Sequence, residues 1–221
     1  MTSTDLRGCA VSGATPAALA AFEHALAGWQ SWRLDETAGL ATAAREAPGF
    51  VMAHVLAAWQ LVSGRDLHQV AAARPLVAHA LRWPANDREG MHLAALSSAL
   101  ADDFEGAKAQ IGRVLGRAPR DAVALHVAHW FDHITGDITR MRRRIAKALP
   151  AWSRDDPGYH AVLAMYAFAL AESGRYARAE AAAGAALELN PLDARACHAM
   201  AHVFEMTDRA EAGVRWMSEH A

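Results

Sequence analysis

Residues 159–191 read YHAVLAMYAFALAESGRYARAEAAAGAALELNP, and this stretch decides the fold. From Tyr159 to Glu172 apolar residues recur at helical spacing, with no proline or glycine to interrupt them. Ser173-Gly174-Arg175 then offers a glycine for the positive φ that often ends a helix. A second, alanine-rich run follows, and Pro191 stops it. The segment is two helices and a turn, and it repeats. Gly64, Asp102, Gly136, Gly174 and Asp208 hold comparable turn positions, separated by 38, 34, 38 and 34 residues. Spacing in this range marks an array of two-helix units.

Working outward, the periodicity predicts helices at 16–30, 35–47, 50–62, 67–82, 87–101, 104–117, 120–134, 138–149, 157–172, 176–189, 192–206 and 209–219. Pro48, Pro84, Pro119, Pro157 and Pro191 fall between units, out of phase with the turns, as alternating helices require. No stretch alternates with a period of two long enough to propose a sheet. The expected architecture is all-α: an α-α superhelix of about six helix-turn-helix units over 16–221, preceded by an N-terminal extension, 1–15.

Composition narrows the function. The chain has 221 residues, is 53% hydrophobic and carries a net charge of −2. That charge argues against nucleic acid, which needs a broad basic surface. The basic helix with Arg140, Arg142, Arg143, Arg144 and Lys147 reads as a solvated outer face balanced by Asp155 and Asp156. No apolar run is long enough for a membrane span, and residues 1–15 lack the apolar block of a secretory signal. Cys9 and Cys197 are too few and too far apart for a disulfide framework, which fits a cytoplasmic protein.

The 159–191 segment resembles the tetratricopeptide repeat, with Gly174, Tyr176, Ala179, Ala186 and Pro191 at that motif's turn, aromatic, small and terminating positions. A wider resemblance rests on 128–137 (AHWFDHITGD), 149–159 (LPAWSRDDPGY), 165–169 (MYAFA), 198–206 (HAMAHVFEM) and 213–217 (GVRWM). These segments, with 5–8 and the alanine-rich first helix, resemble the first half of the tetratricopeptide repeat protein 38 family. The resemblance implies a solenoid whose first helices line a concave surface that holds peptides or helices. It also implies a longer parent chain.

Histidine marks that surface. His54, His92, His126 and His198 each lie ten residues ahead of a turn position, and Ala164 holds the slot in the remaining unit. Equivalent positions of stacked units line up. The expected groove therefore comprises His54, His92, His126, His133, Phe168, His198, His202 and Glu205. Ala164 leaves room there for a bound group beside Phe168. Such a lining suits a peptide segment or a mostly apolar small molecule. His129, beside Trp130 and Phe131, reads as core, and Cys197 as buried packing. His198, His202 and Glu205 share one stripe of a helix, since i+4 and i+7 fall about 40° and 20° either side of i. They carry the competing expectation, a zinc-dependent or acid–base enzyme with those three as metal ligands. A third expectation is self-association through Val214, Trp216 and Met217 on the last helix.

Overall fold

The computed structural model describes residues 3–33 and 39–220. Among them are twelve α-helices: α1 (Pro16–Gln30), α2 (Gly39–Glu46), α3 (Val51–Ser63), α4 (Leu67–Ala80), α5 (Asp87–Leu100), α6 (Phe104–Arg117), α7 (Ala122–Ile134), α8 (Ile138–Ala148), α9 (Tyr159–Glu172), α10 (Tyr176–Leu189), α11 (Ala194–Met206) and α12 (Ala210–His220). The protein is all-helical in architecture, in hairpin pairs consistent with a helical repeat. The expected helix over 35–47 begins outside the described residues. One expectation is corrected: Ser3–Thr4 (β1) and Ala10–Val11 (β2) pair antiparallel. Strands of two residues are too short to leave a periodic signal.

The chain divides into two compact units. The first comprises Met1–Trp29 and Leu34–Phe131, the second Gln30–Arg33 and Asp132–Ala221.

In the first unit, α3, α4 and α5 pack against one another and α5 pairs with α6. Helix α3 is apolar almost all round, so nine of its residues, from Val51 to Val62, are buried. Its partner helices are one-sided: α6 buries Ala107, Lys108, Ile111 and Val114. Asp66 and Asp103 cap α4 and α6 by accepting backbone N–H bonds. The β1–β2 hairpin is tied down by charge. Arg7 donates to both carboxylate oxygens of Glu23 at 2.8 and 2.6 Å. The Ser12 amide donates to Glu89, and Arg88 and Asn86 donate to the Ala10 carbonyl.

In the second unit, α9, α10 and α11 pack mutually, and α12 closes on α11. Their contact is built in rungs of small residues. Ala164, Ala186 and Ala196 form one, Ala167, Ala183 and Ala199 the next, and Leu170, Ala171, Ala179 and Val203 the third. Alanine at each meeting point lets three helices approach closely. The room expected at Ala164 is therefore absent: its side chain is fully buried between α10 and α11. Gly213 serves the same end on α12, where an added Cβ would stand 2.9 Å from the Phe204 Cβ.

The turns show a shift of phase. Asp102, Gly136, Gly174 and Asp208 all take positive φ, as does Arg65, whereas Gly64 is helical at φ −68°. The equivalent turn position in the α3–α4 unit is thus Arg65. Ten residues ahead of it stands Val55, so His54 does not belong to the histidine series.

Candidate functional site

Burial separates the expected groove residues. His54 is buried, and its Nε2–H donates to the Pro48 carbonyl at 2.9 Å. Burial lowers its pKa, which favours this neutral tautomer; the neighbouring His79 pushes the same way, against the bond to Pro48. His92 is wholly buried with Nε2 3.0 Å from the Asp121 carboxylate. His126 is buried and stacked on Trp29, ring centroids 3.7 Å apart. All three are enclosed in the first unit and are not available on an open surface. The two members of the series there, His92 and His126, occupy an inward slot, met by Asp121 and by Trp29. His129 is buried, as expected of a core residue.

The partner of His92 belongs to a device that recurs. Asp121 accepts from the Ala124 amide at the start of α7 and from Arg88 at 2.6 Å. Burial alone would raise its pKa, but His92, Arg88 and the amide outweigh it and hold the carboxyl far below the usual range. Asp193 holds the matching position at the start of α11, where it accepts from the Arg195 and Ala196 amides and lies 2.6 Å from Nδ1 of His160. Arg88 and His160 both stand fourteen residues ahead of their positive-φ turn residues, and Asp121 and Asp193 fifteen ahead of theirs. The sequence signal was an acidic residue at one repeat position facing a basic side chain at another, hidden because that side chain is arginine in one pair and histidine in the other. Cys9 lies within reach of the same charges. Burial, with Asp121 and Asp5, pushes its thiol up to about 12, so it is no nucleophile at neutral pH.

The second unit gathers the remaining residues. Helices α7, α9 and α11 each contribute to one cluster around Phe168. His198 stacks on its ring at 5.5 Å and 19°. His133 and His202 meet it edge-on at 5.1 and 5.7 Å. The His198 and His202 Nε2 atoms are 3.1 Å apart. Trp32 completes the cluster: its indole is 5.2 Å from the His198 ring and lies under the Arg195 guanidinium at 4.8 Å. The turn carrying it is held by the bond from Asn190 to Ser31. Trp32 keeps a left-handed φ of 60° and is 45% exposed. His133 is exposed, while Phe168, His198 and His202 are half-buried.

The charge state follows from this crowding. Burial lowers the His198 pKa, and His202, Arg195 and His133 add to the effect, so this imidazole is neutral at pH 7. Glu205 stands at the margin, with Oε2 3.7 Å from the Nδ1 of His202 and its side chain 74% exposed. It faces the other nitrogen of the ring from the one that meets His198. Among the described residues no three His, Cys, Asp or Glu side chains are gathered as metal ligands.

Cys197 is half-buried rather than buried. On α8, Arg144 bonds Asp132 and Arg140 pairs with Asp137, so the basic helix is anchored to α7 and to its own cap. On α12, Val214 is 68% exposed, while Trp216 is partly buried against Phe204 and stacked on His220. No helix among the described residues is long and apolar enough to cross a membrane.

No protein-family model matches the chain, and no solved structure matches it significantly.

Proposed function

We propose that this chain is a tetratricopeptide-like binding module of the cytoplasm, and that the face built by α7, α9 and α11 receives a peptide segment. The observation that supports this reading is the cluster itself. One phenyl ring is bordered by three imidazoles and joined by an exposed indole. It stands on the first helices of successive pairs, the helices that face inward in tetratricopeptide stacks. Half-buried aromatic groups with little formal charge suit an apolar or aromatic side chain of the ligand. The imidazole nitrogens and Arg195 supply directional polar contacts around it.

The test is selection from a displayed peptide library against the wild-type protein and against a His198→Ala/His202→Ala variant, in buffer containing a chelator. Circular dichroism and the melting temperature check that the variant keeps its fold. Binders that depend on the two histidines are expected. A pool retained equally by both proteins would contradict the assignment.

A further inference from the structure

The distance between His198 and His202 carries a second conclusion, independent of peptide binding. We propose that these two side chains form a chelate for a zinc-class divalent ion, bound through the two Nε2 atoms.

The spacing of the two rings matches a chelate. Zinc–imidazole bonds are about 2.0–2.1 Å long, so nitrogens 3.1 Å apart subtend an angle of about 100° at a shared ion. That lies between the octahedral and tetrahedral values. The ring positions give an independent check. Two imidazoles aimed at one ion with such bonds would hold their centroids about 4.8 Å apart. The observed separation is 4.5 Å. Positions i and i+4 of one helix supply this bite without distortion, since both side chains stand over the same turn.

The surroundings leave the pair open to an ion. Glu205 faces Nδ1 of His202, the nitrogen that the chelate leaves free. With Nε2 on an ion, Nδ1 would carry the ring proton, and the exposed Glu205 carboxylate is placed to close on it and raise the ring's basicity. This replaces the expectation of Glu205 as a direct ligand. Both rings are only half-buried, so water can reach the ion and its remaining positions stay open. An open position beside Trp32 and Phe168 would accept an anionic or imidazole donor from a bound molecule.

The same nitrogen separation would also arise from a simple N–H···N bond between two neutral rings, and metal titration separates the two. The untagged protein is titrated with zinc chloride at pH 7.5 by calorimetry. One saturable site is expected, with a rise in melting temperature on saturation. His198→Ala and His202→Gln should abolish that site, and Glu205→Gln should weaken it by about tenfold. His24→Ala, on the exposed face of α1, is the control and should leave it intact. Absence of saturable zinc binding by the wild type, or equal binding by all the variants, would overturn the chelate. Because peptide selection is performed with a chelator present, either conclusion can fail without the other.

Discussion

A buried histidine and an open one obey different rules, and this chain contains both. His54 donates to a carbonyl in the core and resists protonation because burial penalises its charge. The consequence for stability has a definite sign. The unfolded chain takes up a proton on this residue below about pH 6.5, while the folded chain does so only at lower pH. Its contribution is therefore complete above pH 6.5 and is lost as the pH falls through the lowered folded value. His198 works in the same direction. In His54→Gln the fall in melting temperature between pH 7.5 and 5.5 should be smaller than in the wild type. An unchanged fall, followed by differential scanning fluorimetry, would show that His54 is not held neutral. Sequence alone could not make this distinction. A histidine at a repeat position reads the same whether it meets Pro48, Asp121, Trp29 or solvent.

At the scale of helices and turns the reading from sequence was close. Nearly every helix begins and ends within two residues of its periodic signal, because proline, glycine and capping aspartate act locally. What escaped were features set by phase or by distant partners. Gly64 looks like the turn glycine, yet Arg65 takes the left-handed conformation at φ 55°. One residue of slip moved His54 into a series to which it does not belong. The β1–β2 hairpin escaped because its stability comes from Glu23, Arg88 and Glu89, remote in sequence. The site was legible in part. The i, i+4 pair of His198 and His202 follows from helix geometry, but Trp32 and Arg195 join it only through folding. The phase shift is itself testable. A non-glycine residue in the left-handed region costs about 1–2 kcal/mol. Arg65→Gly should therefore stabilise the protein by about 1 kcal/mol in denaturant unfolding. Net destabilisation would place the left-handed residue elsewhere.

On the scale of the whole molecule, each of the two compact units combines buried charge with small-residue packing. In the first, a buried carboxylate ties the N-terminal hairpin to a helix. Glu89 is fully buried and accepts from the amides of Ser12 and Asn86, so it joins the N-terminal hairpin to α5. Hydrogen bonds to a charged group are worth about 1.5–3 kcal/mol each. Glu89→Ala should cost about 2–4 kcal/mol by the same measure and speed hydrogen exchange in residues 3–12, leaving the alanine rungs of α9, α10 and α11 protected. Unaltered exchange in 3–12 would mean that the hairpin is held by its apolar contacts alone. In the second unit the alanine rungs bring α9, α10 and α11 close together, and Phe168, His198 and His202 stand beside them.

That cluster underlies the functional reading, and one measurement addresses it most directly. A peptide selected against the wild-type protein is titrated into isotopically labelled protein while the imidazole and aromatic resonances are followed. The shifts should concentrate in Trp32, His133, Phe168, His198 and His202. Shifts confined to the second helices of the pairs, α8, α10 and α12, with that cluster unmoved, would contradict the proposed binding face.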